Sequence, residues 1–231
     1  MNNELELSRR IDALFLQDDR GRITSINEVD SNVIVPRLYI LRTANHCLWR
    51  IGADVPDAIA SQLEDALNDE PSQANFRDSL VHYQAYIDIL EQDTPISNMR
   101  QGPAYYFSEL MPSDKAVLIT EDNQSLLEKH FPYTLEVFAS RHPITVMVAD
   151  GSAVAACFCS RKTPYVAEAG VYTVDEYRKR GFAKEVVQRW AYAVQQVGLQ
   201  ALYSTDWDNI ASQRIAASLG AVSYGVDFSF S

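Results

Sequence analysis

The sequence predicts an α/β (α+β) chain in two parts, residues 1–112 and 113–231. Three observations point there. Apolar residues recur at helical spacing in some stretches and at strand spacing in others. The second part alternates as strand, helix, three strands, helix, strand, helix, strand. Between the parts lies a stretch rich in breakers, 93–103, with Thr94-Pro95, Ser97-Asn98 and Gly102-Pro103.

The first part opens with a helix over 5–15, its apolar face set by Leu5, Leu7, Ile11, Leu14 and Phe15. Asp18-Asp19-Arg20-Gly21 is a turn, and a short strand through Ile23 and Ile26 follows. Residues 37–43 and 47–51 pattern as a hairpin joined through Ala44-Asn45-His46. A helix over 57–69 carries Ile59, Leu63 and Leu67, and another over 76–90 carries Phe76, Leu80, Tyr83, Ile87 and Leu90.

In the second part, 116–120 is a strand and 124–131 a short helix. Strands over 144–149 and 153–160 meet at Asp150-Gly151, a strong hairpin turn. A strand over 166–174 precedes an amphipathic helix over 183–197 that Gly198 ends. A short strand over 202–205 leads to a helix over 209–219, closed by Gly220. The last strand alternates Val222, Tyr224, Val226, Phe228 and Phe230 with polar or small residues.

With 231 residues and 47% hydrophobic composition, the chain can bury a substantial core. No run approaches the roughly 18 apolar residues of a membrane span. The start, Met1-Asn2-Asn3-Glu4-Leu5-Glu6, is polar and acidic, unlike a secretory leader or transit peptide. Cys47, Cys157 and Cys159 make no disulfide framework, so a cytoplasmic location is expected. Cys157 and Cys159, two apart on one strand, are expected in the core. No Cys/His spacing suits zinc, and no metal is expected. The net charge of −11 argues against nucleic-acid or membrane partners, which are held through Lys and Arg.

Against that background, residues 177–189 hold Arg178, Lys179, Arg180, Lys184 and Arg189 and one acid, Glu185, a net of +4. This basic island falls where a strand gives way to a helix. The first N–H groups of a helix lack intrahelical acceptors, and the helix dipole is positive there. Gly181 permits close approach of an anion to the backbone, and Arg178, Lys179 and Arg180 add charged donors. The plain alternative for these charges is a solvated helix face.

Arg178-x-x-Gly181-x-Ala183 resembles the acetyl-CoA pyrophosphate loop of the GNAT superfamily of N-acetyltransferases. The lead-in from Val171 to Arg178, and the stretch from Leu202 through Asn209 and Ser212 to Leu219-Gly220, resemble the superfamily's neighbouring elements. The resemblance covers about 114–231 and implies a mixed, mostly antiparallel sheet with flanking helices. It implies acetyl transfer from acetyl-CoA to a small-molecule amine. By the same resemblance Tyr172, Thr173 and Val174 would meet the pantetheine arm. The backbone of Arg178, Lys179, Arg180, Gly181, Phe182 and Ala183 would hold the pyrophosphate, and Asn209 and Ser212 would lie along the coenzyme.

Glu168, the one ionised residue in its strand, is the candidate general base; its plain alternative is a solvent-facing Glu beside Arg161. Where many relatives carry a proton-donating Tyr, this chain has Ala216. Tyr224, Ser212 or water are the substitutes, and the departure keeps open a non-catalytic acyl-CoA-binding protein used for sensing or assembly. A peptide acceptor and a homodimer are also compatible with the sequence. Trp190 is expected in the core. Trp207 is expected in a loop, and Tyr105-Tyr106-Phe107 at an interdomain interface. No motif explains residues 1–112.

Overall fold

A computed structural model describes residues 4–28 and 34–231; residues 1–3, half of the acidic start, lie outside the described residues, as do 29–33. The chain begins α1 (Glu4–Leu14), β1 (Phe15–Gln17), β2 (Ile23–Ile26), β3 (Leu38–Arg42) and β4 (Cys47–Ile51). Next come α2 (Asp57–Asn68), α3 (Tyr83–Leu90), β5 (Met99–Tyr106) and β6 (Val117–Leu118). A 3₁₀ turn over Gln124–Leu127 precedes α4 (Pro132–Glu136), α5 (Phe138–Arg141), β7 (Thr145–Ala149), β8 (Ser152–Lys162) and β9 (Val166–Thr173). The chain closes with α6 (Phe182–Gln196), β10 (Gln200–Ser204), α7 (Ile210–Ser218) and β11 (Val222–Phe230). The fold is α+β, with mostly antiparallel strands and flanking helices.

Contacts gather the chain into two compact units. One holds the described residues up to 104 with 205–209 and 223–231; the other holds 105–204 and 210–222. The final strand, grouped with 113–231 on sequence order, therefore falls almost wholly in the first unit.

In the first unit the strand order is β4-β3-β11-β5, and β1 and β2 form a separate ribbon. β3 pairs antiparallel with both β4 and β11, Leu38 opposite Ile51 on one side and Phe230 on the other. The alternation of β11 lands as expected, with Val226, Phe228 and Phe230 buried against Leu38, Ile40, Leu63 and Leu90.

Two expectations fail here. The helix expected over 76–90 starts at Tyr83. Asn75 turns the chain by accepting from the Arg77 N–H and donating to Asp78. Glu70 then accepts from the Val81 and His82 N–H groups at 2.8 and 3.0 Å, and Arg42 donates to the carbonyls of Asp78 and Ser79. Side chains thus satisfy the backbone that a helix would otherwise pair. The breaker stretch also contains a strand, β5. Gly102 is there because of a close backbone approach: an added Cβ would lie 1.8 Å from the Thr205 carbonyl oxygen.

The second unit has the order β10-β9-β8-β7-β6. β6, β7, β8 and β9 are mutually antiparallel, while β9 and β10 are parallel. Asp150 and Gly151 both have positive φ, 49° and 73°, as a tight hairpin turn between β7 and β8 requires. α6 lays Val186, Val187, Trp190 and Val194 on the sheet over Cys157, Cys159 and Ala201, so both cysteines and Trp190 are core residues. The helix expected over 124–131 is only the 3₁₀ turn. Pro132 starts α4 instead, since Pro suits a helix's first turn.

Candidate active site

The site grows from one strand pair in the second unit. β9 and β10 are paired from Val166↔Gln200 to Glu168↔Leu202, where the ladder ends. β9 continues to Thr173, held only on its other side by β8, and β10 continues to Ser204. A wedge therefore opens between the strands beyond Glu168. Along β9 the backbone groups alternate in direction. The Val174 N–H donates to the Val154 carbonyl at 3.0 Å, toward β8. Tyr172 faces the same way, whereas Val171 and Thr173 turn their backbone groups into the wedge. Thr173 Oγ1 is buried and has no hydrogen-bond partner among the described residues. Tyr172 is half exposed and meets Phe131 edge-on at 5.9 Å.

Glu168 stands at the point of the wedge. It is 4% exposed, so it is not a solvent-facing residue, although Arg161 is its partner across the β8–β9 ladder. Ser204 Oγ donates to its Oε1 at 2.8 Å. Tyr203, the residue between Leu202 and Ser204, points to the opposite face. There it is 3% exposed, edge-on to Phe107, and its hydroxyl shares a hydrogen bond with Ser212 on α7 at 2.5 Å. Burial, chiefly, pushes the Tyr203 hydroxyl up to about 12. Ala216, one turn after Ser212, is buried in the same cluster as Tyr203.

The wedge leads to the basic loop. Gly181 is the N-cap of α6 in a left-handed conformation, φ 82°, and no side chain caps the helix start. A Cβ there would meet nothing within 4 Å, so the backbone faces open space. Lys179 is also left-handed, φ 62°. Arg178 braces the loop: its Nε donates to the Thr173 carbonyl at 3.2 Å and it pairs with Asp175 at 2.8 Å. Arg180 donates to the Glu176 carbonyl and lies over the Tyr177 ring. These two guanidinium groups thus hold the loop's shape, while the backbone of Gly181, Phe182 and Ala183 presents N–H groups at the helix start. Glu185, the island's single acid, is turned to Ser113 and Lys115. The Ser113 hydroxyl, and then Lys115, hold its carboxyl below the usual range.

The structure thus brings Glu168, Thr173, the Arg178–Ala183 loop and Ser212 into one unit. Asn209, immediately before α7, groups with the first unit, its N–H bonded to the Asp206 carbonyl at 3.1 Å. Tyr224, one candidate acid, lies in the first unit with the Arg10 guanidinium 4.0 Å over its ring. Sequence reasoning missed Val171, Tyr203 and Ser204. The odd-even alternation could have found Val171; only the strand pairing reveals the other two.

The acetyltransferase (GNAT) family model matches residues 106–221, half of the chain. The chain belongs to that family. Among solved structures, a GCN5-related N-acetyltransferase-like protein from Streptococcus suis matches with TM-score 0.51 at 16% identity, covering 99% of this chain and 100% of that one. An acetyltransferase of the GNAT family from Colwellia psychrerythraea matches with TM-score 0.46 at 14% identity, covering 100% and 98%. A GNAT-family protein from Novosphingobium aromaticivorans matches with TM-score 0.48 at 19% identity over 58% of this chain, which spans 65% of that protein's length. No curated protein matches. Among the described residues no helix is long and apolar enough to cross a membrane, and no group of three or more His, Cys, Asp or Glu is placed to hold a metal.

Proposed function

We propose that this GNAT chain transfers an acetyl group from acetyl-CoA to the primary amine of a small, cationic acceptor. The observation that carries the reading is the wedge between β9 and β10, with a buried carboxylate at its point and an uncapped helix start at its mouth. The pantetheine arm would lie in the wedge against Val171 and Thr173, whose orphaned hydroxyl supplies a further donor. The pyrophosphate would sit on the N–H groups of Gly181, Phe182 and Ala183, with Lys179 beside it.

An amine of pKa about 10.4 is only about 0.04% free base at pH 7. Glu168 would take the proton that the attacking nitrogen must lose. A wedge-facing N–H of β9 would stabilise the oxyanion. An acceptor cation suits a chain of net charge −11 whose coenzyme loop alone is strongly basic. The non-catalytic alternative draws its support from Ala216, which supplies no proton.

Calorimetry and thiol release test the reading. Acetyl-CoA is incubated with spermidine, an aminoglycoside or single amino acids, and free thiol is followed with a chromogenic reagent. Turnover with at least one amine is expected. Gly181→Val is expected to abolish measurable coenzyme A binding, because the residue needs φ 82° and would push a side chain toward the anion. Unchanged affinity in that variant removes the loop from the site. Tight binding with no thiol release from any amine favours the sensor.

A further inference from the structure

The face of β9 that carries Glu168 also carries a cation that the proposed site leaves unused. Resting on the acyl-transfer reading, we propose that Arg141 binds a carboxylate of the acceptor, so that the substrate is a cationic amino acid with its amine at Glu168 and its carboxylate at Arg141. Side chains two apart on a strand share a face, so Glu168, Gly170 and Tyr172 point the same way. Phe158 stands opposite Gly170 across the β8–β9 ladder and joins that face. Only a glycine leaves room there for the ring: an added Cβ would lie 2.4 Å from it. α4 and α5 are on this face too, for Phe131 meets Tyr172 edge-on, and Phe138 clusters with Phe131 and Phe158. Arg141 ends α5 and brings its guanidinium over the Phe158 ring at 4.2 Å and over the Tyr133 ring at 5.0 Å.

The guanidinium is held but not satisfied. Its hydrogen bond to Thr134 Oγ1 is long, 3.5 Å, and among the described residues no carboxylate pairs with it. Aromatic rings attract the cation without using its N–H groups. Those groups form a planar fork that matches the two oxygens of a carboxylate. Arg141 is half-buried, so the pair it would form is less screened than one at the open surface. Its place on the face decides what it can meet. Glu168, the proposed proton acceptor, sets the side on which the amine must stand. Gly170, under the Phe158 ring, is two residues further along β9, about 7 Å. One small molecule can therefore reach both ends, its ammonium toward Glu168 and its carboxylate toward Arg141. A basic side chain keeps such an acceptor cationic overall, in keeping with a chain of net charge −11.

The test sets cationic amino acids beside the amines left when their carboxylate is removed: lysine with cadaverine, ornithine with putrescine, arginine with agmatine. Acetyl-CoA is the donor throughout. The parent is expected to favour the amino acid over its partner amine about 10-fold or more in kcat/KM, the worth of hydrogen bonds to a charged group. Arg141→Gln should raise KM for the amino acid by a similar factor, with kcat and the KM for acetyl-CoA near the parent values. KM for the partner amine should rise far less. Arg141→Lys keeps the charge but loses the fork, so an intermediate rise is expected. That variant also covers the case in which Arg141→Gln folds poorly. Equal loss of the amino acid and its partner amine makes Arg141 structural and overturns the proposal. So does an unchanged KM for the amino acid in both variants. A parent without turnover on any amine overturns the acyl-transfer reading itself. A parent that acetylates amines, spermidine included, without favouring those that carry a carboxylate overturns this inference alone.

Discussion

Glu70 in the first unit and Glu168 in the second are carboxylates of nearly equal burial, 5% and 4% exposed, but they hold different things. Glu70 accepts from two backbone N–H groups and from the Tyr86 hydroxyl at 2.9 Å. Nearby Arg42, fully buried, donates to two backbone carbonyls of the same segment. These charges replace the helix that the sequence pattern expects over 76–82. Burial lowers the Arg42 pKa, against the raising influence of Glu70. The Cys47 thiol, beside both, is pushed up to about 12, mainly by burial. Glu168 instead meets a side-chain hydroxyl at the end of a strand ladder, where backbone pairing has stopped. Buried charge that is spent on backbone is architecture. A buried carboxylate at the end of a strand ladder, beside an open wedge, is where a proton acceptor would be of use.

The sharpest way to break this comparison is Glu168→Gln. Gln keeps the Ser204 contact and the shape but cannot take a proton. Turnover is expected to fall about 10²- to 10⁴-fold, with coenzyme affinity and the denaturation midpoint close to the parent. Parent-like turnover and pH–rate profile would place Glu168 with Glu70, as architecture. Next in size is Arg42→Ala, which leaves Glu70 buried beside a lost cation. A stability loss on the order of 3–5 kcal/mol is expected in urea unfolding. If the loss is under about 1 kcal/mol, the charges of the first unit are not holding its loop.

The smallest effect concerns His142 in the second unit. His142 is exposed at the surface, but partial desolvation, and then Lys162, lower its pKa from 6.5. A lowered histidine favours the neutral form in the folded state. Its contribution is therefore complete above the unfolded value of 6.5 and is lost as pH falls below it. The melting midpoint of the parent should decline as pH falls below 6.5, and His142→Asn should decline less. Parallel curves would show that the histidine is not coupled to folding.

Much of this was legible in the sequence where local rules agree. Strong alternation found β3, β4, β7, β8, β9 and β11, and Gly198 and Gly220 ended their helices with φ of 79° and 65°. The strand-to-helix turn at Gly181 was readable because its physics is local. What was not legible depends on partners distant in sequence. Gly102-Pro103 looks like a linker until the Thr205 backbone is seen against Gly102. Residues 76–82 continue a helical stripe, and the hydrogen bonds of Arg42, Glu70 and Asn75 explain why they do not coil. Glu168 could be singled out as an isolated charge on a strand. Tyr203 and Ser204 could not, because their meaning comes from where β10 stops pairing with β9.

The pairing of β3 with β11 fixes an order of events during synthesis. Leu38 finds its ladder partner in Phe230. At 5–20 residues per second, translation separates the two by roughly 10–40 s. Every residue of the second unit has been made before β11 exists, whereas the first unit waits with one side of β3 uncovered and without Val226, Phe228 and Phe230 in its core. The part of the chain made first is thus the part completed last. A ribosome that stops at residue 222 releases a second unit with all its strands and a first unit with an unfilled place between β3 and β5.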